Sequence, residues 1–238
     1  MQENSPIPDV SVIIPAYGEE KTIGDVLQRL IKVSGSMGTV EIIVVDDGST
    51  DSTCENVAAF PMVKCIRHEH NMGKGAAIRT GINNSRGKIL VIQDADLEYL
   101  PECIPSLVKP ISHGSMDIVY GSRFNHRPEG MTLSHFIGNF ILSIVARLVY
   151  NIKITDIMTG QKAFRRSVLD SIDLKENGFA VEIEITCLSF NCSRRFTEVY
   201  IPYSYRNHGV SKLVNLDGFK SLAMLLSIFL TTDVSDKQ

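Results

Sequence analysis

The sequence predicts an α/β protein built on a mostly parallel, doubly wound sheet. Three observations carry this expectation. Short apolar runs of strand character alternate with segments of helical spacing through the first half of the chain. Three of those runs end in turns rich in acids, as strand ends do when they meet at one edge of an open sheet. The length, 238 residues, suits one α/β domain with or without a small appendage.

The elements follow in order. Residues 10–14 form the first strand, ending in Pro15-Ala16-Tyr17-Gly18-Glu19-Glu20. Residues 20–33 place Ile23, Val26, Leu27, Leu30 and Ile31 at helical spacing. Residues 40–45 are the second strand and run into Asp46-Asp47-Gly48-Ser49-Thr50-Asp51. There Gly48 allows a tight turn, and Thr50 or Asp51 can cap a helix beginning near Ser52. Residues 63–67 are a short third strand, and residues 74–85 a helix starting just after Gly73. Residues 88–92 read as a buried strand, apolar from Ile89 to Ile92, that stops at Gln93-Asp94-Ala95-Asp96-Leu97-Glu98. A helix led by Pro101 spans residues 101–111, and a strand over residues 117–120 precedes Gly121-Ser122-Arg123-Phe124. The regular alternation stops near Asn125. With no repeat and no low-complexity linker, the chain reads as one domain over residues 1–238, its halves divided at about residues 124 and 125.

The second half contains two unusual helices, over residues 135–150 and 213–230. The first is apolar on most faces; the second ends in a nine-residue apolar stretch broken only by Ser227 and carries Lys220 near its start. Neither reaches the roughly 20 apolar residues needed to span a bilayer. Two readings stand: core helices or an oligomer face, and a surface that dips into the membrane interface.

Composition narrows the function. A formal charge of −3 gives no reason to expect a nucleic-acid partner. The five cysteines form no C-x-x-C pair and read as reduced thiols of a cytosolic protein. Residues 1–9 are polar with two prolines, unlike a signal peptide. The six histidines show no metal-ligand spacing.

The acidic turns carry the chemistry. Asp94 and Asp96 fall where a buried strand stops, the place where open α/β sheets bind ligands. Carboxylates there suit a hard divalent cation, which itself prefers a phosphate or diphosphate. An isolated D-x-D would be a solvated turn, but this one has company at two other strand ends. Capping explains Thr50 and Asp51, whereas adjacent Asp46 and Asp47 repel unless something cationic or hydrogen-bonding meets them.

Together these motifs resemble glycosyltransferase family 2, with its Rossmann-like GT-A fold, and within it the dolichol-phosphate mannose synthases and their polyprenyl-phosphate relatives. The matching pieces are Val12-Ile13-Ile14-Pro15-Ala16-Tyr17, the Asp46 to Asp51 turn, Asn71-Met72-Gly73-Lys74-Gly75, the Asp94 to Glu98 turn, Gly121-Ser122-Arg123-Phe124, Asp156-Ile157-Met158-Thr159-Gly160, and Tyr205-Arg206 with Gly209-Val210-Ser211-Lys212-Leu213. The resemblance implies a nucleotide-sugar-binding half over about residues 10–124 and an acceptor and membrane-interface half over about residues 125–238. It assigns Pro15, Tyr17, Glu19 and Asp46 to the base and ribose, with Asp47, Lys74 and Asp94 completing the nucleotide site. It assigns Asp94, Asp96 and Glu98 to Mg²⁺ or Mn²⁺; Glu98 stands where the mannose synthases usually carry Gln. Asp96, Arg123, Arg206 and Lys212 are the expected catalytic set, and Arg123, Arg206, Ser211 and Lys212 the expected acceptor-phosphate set.

The implied reaction is inverting transfer of a hexose from a nucleotide diphosphate to dolichyl or polyprenyl phosphate, by a protein held peripherally at the cytosolic face of a membrane. Mannose from GDP-mannose leads, with UDP-glucose and UDP-N-acetylglucosamine as rivals. A homo-oligomer or a membrane-spanning partner subunit would fit the apolar helices. A second reading keeps the fold and moves the sugar to a glycan hydroxyl, which needs a carboxylate base, with Glu182 or Glu184 as candidates. One of these can face the acceptor pocket, or pair with Arg194 or Arg195. A non-catalytic nucleotide-sugar-binding scaffold is a third reading, opposed by the intact acidic motif and the basic set.

Overall fold

Alternating burial along the strands sets the architecture. In β1 (Val10–Ala16), Val10, Val12, Ile14 and Ala16 enter one core and Ile13 the other, so both faces of the strand are covered. The computed structural model describes residues 6–124, 131–203 and 215–232. Strands β2 (Val40–Asp46), β3 (Val63–Arg67), β4 (Ile89–Gln93), β5 (Ile118–Ser122), β6 (Gln161–Arg165) and β7 (Phe196–Tyr200) join β1 in a seven-stranded sheet of order β3-β2-β1-β4-β6-β5-β7. Neighbours are parallel except at β6, which runs antiparallel to both β4 and β5. The expected α/β, mostly parallel sheet is therefore present, with β6 and β7 added from the half where the regular pattern ended.

Helices cover both faces. α1 (Ile23–Ser34) and α4 (Ile104–Ser112) pack on one core through Ile23, Val26, Leu27 and Leu30 and through Ile104, Leu107, Val108 and Ile111. α2 (Thr53–Ala58) adds Val57 to that core. Pro101 opens a 3₁₀ turn at Pro101–Cys103 just before α4, so the helix expected there begins as a tighter turn. On the opposite face lie α3 (Lys74–Asn83), α5 (Leu133–Tyr150), the short α6 (Arg166–Asp170), α7 (Val181–Cys192) and α8 (Asn215–Thr232).

α5 is apolar on two sides. Its inner face carries Asn139, Leu142, Ser143, Ala146 and Tyr150, all buried, while Ile137, Phe140, Ile141 and Leu148 are exposed. α8 packs against α5 and α7 and repeats the pattern, with Leu225 buried and Leu226 and Leu230 exposed. Among the described residues no helix is long and apolar enough to cross a membrane.

Candidate active site

In the sheet, β2, β1 and β4 are neighbours, so the three acidic strand ends meet. The register pairs Ala16 with Asp46 and Ile13 with Ile92. A cleft of about 280 Å³ opens at this edge, with Pro15, Tyr17 and Glu19 from the β1 turn, Asp47 from the β2 turn, and Asp94, Asp96 and Glu98 from the β4 turn in its wall. Lys74, Arg123 and Glu182 complete it.

Lys74 is the first residue of α3, and its placement depends on glycines. Gly73 has φ +100, which favours glycine, and a Cβ on Gly75 would lie 2.1 Å from the Glu176 carbonyl oxygen. This close approach lets the Gly75 N–H donate to the Asn177 carbonyl at 2.7 Å, while Arg79 Nη1 donates to the Glu176 carbonyl at 2.7 Å. The loop so docked brings Phe179 and Glu182 to the cleft. Lys74 Nζ then sits 2.7 Å from Asp94 Oδ1 and 2.8 Å from Glu182 Oε1. Glu182 Oε2 pairs in turn with Lys162 of β6, a fully buried side chain. Burial by itself would raise the Glu182 carboxyl, but Lys162 and Lys74 outweigh it and hold that group well below the usual carboxylate range. Burial pulls the Lys162 ammonium below its usual range, opposed by Glu182 beside it.

The paired acids after β2 have the partners that their repulsion requires. Asp47 accepts from the Met72 N–H at 2.9 Å and the Gly73 N–H at 2.7 Å, and lies 2.7 Å from His68 Nδ1. Asp47 thereby fixes the turn that starts α3. Asp46 is fully buried, accepts from the Ser49 N–H at 3.0 Å, and lies 3.4 Å from Arg67 Nε. It is not part of the cleft wall, and it shapes the turn from behind. Of the two candidate caps, Asp51 accepts from the Thr53 N–H at 3.1 Å, while the N-cap position of α2 falls to Ser52 without a side-chain cap.

Arg123 follows β5 and is buried against Asp156. Its Nε and Nη2 donate to the two Asp156 oxygens at 2.6 and 2.7 Å, and its backbone N–H donates at 3.1 Å. The rings of Tyr99, Phe124 and Tyr203 lie 5.4, 5.3 and 5.7 Å from the guanidinium carbon. Asn139 of α5 donates to Asp156 at 3.0 Å, and Glu198 of β7 accepts from the Thr155 and Asp156 N–H groups at 2.9 and 3.0 Å. Arg123 is thus a fixed guanidinium whose charge already has a partner.

Two expectations from sequence change. Glu184 faces neither the cleft nor an arginine: its carboxylate accepts from the N–H groups of Lys175 and Glu176, because it points at the docked 175–176 backbone. Arg194 donates to the Tyr150 carbonyl and Arg195 pairs with Asp117, so neither arginine meets Glu182 or Glu184. Arg206, Ser211 and Lys212 lie outside the described residues.

The three acids assigned to a metal share one wall but do not gather as a cage. Among the described residues no three His, Cys, Asp or Glu side chains are placed to enclose an ion. Asp96 Oδ1 accepts the Glu98 N–H at 3.0 Å, and Glu98 Oε2 accepts from the Tyr203 hydroxyl at 3.3 Å. One or two carboxylates plus phosphate oxygens are how Mg²⁺ is usually held, and this wall presents such carboxylates. Burial, with Asp96 and Glu182 nearby, pushes Asp94 up to about 6 in spite of Lys74. Burial outweighs the Lys74 ammonium 2.7 Å away, and a divalent cation would add positive charge there.

The sequence model of glycosyl transferase family 2 matches residues 11–173. The chain belongs to this family. Dolichol-phosphate mannosyltransferase from Pyrococcus furiosus is 33% identical over 86% of the chain, which spans 59% of that enzyme's length. UDP-N-acetylglucosamine–dolichyl-phosphate N-acetylglucosaminyltransferase from Methanococcus voltae is 30% identical, covering 92% of this chain and 95% of its own. Glucosyl-3-phosphoglycerate synthase from Mycobacterium tuberculosis, solved with Mn²⁺ and UDP-glucose, superposes with a TM-score of 0.76 at 25% identity, over 93% of this chain and 79% of that one. The family 2 member described here is a glycosyltransferase of the GT-A fold.

Proposed function

We propose that this glycosyltransferase moves one hexose, with inversion, from a nucleotide diphosphate to a dolichyl or polyprenyl phosphate at the cytosolic face of a membrane. The observation that carries the acceptor is the fate of Glu182 and Glu184. A sugar hydroxyl needs a base, yet the Lys162 and Lys74 ammoniums strip Glu182 of basicity and Glu184 is taken up by backbone N–H groups. A phosphate acceptor needs no base, since a phosphate monoester is largely ionised near pH 7, its second pKa being roughly 6. The names of the Pyrococcus and Methanococcus relatives point to the same acceptor class. GDP-mannose is the first donor to test, ahead of UDP-glucose and UDP-N-acetylglucosamine.

The chemistry follows from charge. Breaking the sugar–phosphate bond builds positive charge at the anomeric carbon and negative charge on the departing diphosphate. Asp94 and Asp96 would hold Mg²⁺ or Mn²⁺, which when bound neutralises that diphosphate. Lys74 lies at the same wall, positioned to follow the developing charge. Pro15, Tyr17, Glu19 and Asp47 border the nucleotide end, and Asp46 shapes its turn from behind. Arg123 offers an oriented guanidinium to the diphosphate side. Arg206, Ser211 and Lys212 keep the acceptor-phosphate role that the family resemblance gives them. The exposed apolar faces of α5 and α8 suit a lipid surface, where the acceptor resides.

Chelation tests this reading. EDTA should abolish transfer, added Mg²⁺ or Mn²⁺ should restore it, and Asp96→Ala should stay folded while losing several orders of magnitude in rate. Full activity in excess chelator would contradict it.

A further inference from the structure

Behind the cleft wall sits a charge that the transfer chemistry leaves unused. Lys162 is fully buried in β6, its ammonium 5.1 Å from the centre of the Tyr120 ring and paired with Glu182. A buried ammonium is costly, and an apolar residue of similar volume would serve packing as well. What Lys162 adds is the charge and aim of Glu182. The line runs Lys162, Glu182, Lys74, Asp94: ammonium, carboxylate, ammonium, carboxylate.

We propose that Glu182 reads the transferred sugar, accepting hydrogen bonds from its hydroxyls and selecting a neutral sugar over a uronic acid, with Lys162 as the positioning residue that fixes it. This rests on the cleft being a nucleotide-sugar site. Glu182 lines the cleft and is separated from Asp94 by a single ammonium, so a pyranose on a diphosphate held at Asp94 comes within its reach. An ionised carboxylate only accepts, and it bonds sugar hydroxyls strongly for that reason. It repels a sugar carboxylate. Within this cluster two ammoniums already face two carboxylates, so an added acid finds no unclaimed cation there.

The test is equilibrium binding to the full chain with Mg²⁺ present, comparing UDP, UDP-glucose and UDP-glucuronate, and GDP, GDP-mannose and GDP-mannuronate. In the wild type the neutral sugar should outbind its uronic counterpart by about tenfold or more. In Glu182→Gln the ratio of neutral-sugar to bare-nucleotide affinity should fall about tenfold, the worth of a charged hydrogen bond, and the gap to the uronate should close. Lys162→Met should reproduce the fall in neutral-sugar preference, because Glu182 loses its aim, but should leave the uronate excluded, because the carboxylate stays. The double variant Lys162→Met with Glu182→Gln removes both charges, and should show the binding pattern of Glu182→Gln in a protein that folds even where a single variant does not. Variants that keep the wild-type ratio and gap overturn this proposal alone. A wild type that binds bare nucleotide diphosphates but no nucleotide sugar overturns the transferase reading, and this proposal with it.

Discussion

Replacing Asp156 by Ala should destabilise the protein through Arg123. Arg123 is 8% exposed and its carboxylate partner Asp156 is fully buried. The substitution removes bonds of 2.6, 2.7 and 3.1 Å from Arg123, together with the 3.0 Å bond from Asn139. A buried ion pair broken from one side costs about 3–5 kcal/mol, because the remaining charge is left uncompensated. The three rings around the guanidinium offset part of this, at about 0.5–2 kcal/mol for a cation–π contact, so the expected loss is near 3 kcal/mol. In urea unfolding with a slope of about 3 kcal/mol/M, the midpoint should fall by about 1 M with the slope unchanged. The variant Arg123→Met with Asp156→Leu should regain most of that stability, since apolar replacement of a buried pair is close to neutral, yet remain inactive. A loss below about 1 kcal/mol for Asp156→Ala, or a double variant no more stable than the single one, would refute the reasoning.

The remaining expectations concern the membrane and the acceptor. The protein should co-sediment with anionic liposomes and do so less at high salt, and replacing Ile137, Phe140 and Ile141 with Ser should weaken binding without unfolding the chain, because that face of α5 is exposed; sedimentation that ignores lipid at low salt would favour an oligomer face, which light scattering would detect. Arg206→Ala and Lys212→Ala should raise the acceptor KM and lower turnover, since an uncompensated phosphate must then enter the site, whereas Glu182→Gln should fall well short of the roughly 10²–10⁴-fold loss of a missing base. A near-fatal Glu182→Gln with a harmless Arg206→Ala would move the acceptor to a hydroxyl.

Much of the first half was legible because its information is local. Apolar strands, acidic turns and the Gly73-Lys74-Gly75 start of α3 lie in short windows, and β2, β1 and β4 are neighbours in the sheet. The second half hid its strands. β6 carries Gln161 and Lys162, both fully buried, so its polarity disguises a core strand. Its neighbours justify that polarity: Gln161 donates to Gln93 at 2.6 Å, and Lys162 meets Glu182 some twenty positions on. β7 is only half-buried and lacks an apolar run. Glu182 and Glu184 both stand out in the sequence, but their separate fates depend on a loop docked against glycines far away in sequence. Asn139 and Glu198, which brace Asp156, gave no local signal at all, because they lie 17 and 42 positions from it in the sequence.

Transfer of a hexose to a lipid phosphate is decided by the bond in its product. The protein would be incubated with radiolabelled nucleotide sugars, Mg²⁺ or Mn²⁺, and liposomes containing polyprenyl phosphate. One donor should label the lipid fraction, and mild acid should release the sugar, as a glycosyl phosphate ester requires. Label in an acid-stable glycoside, or no label in lipid from any donor, would contradict the account.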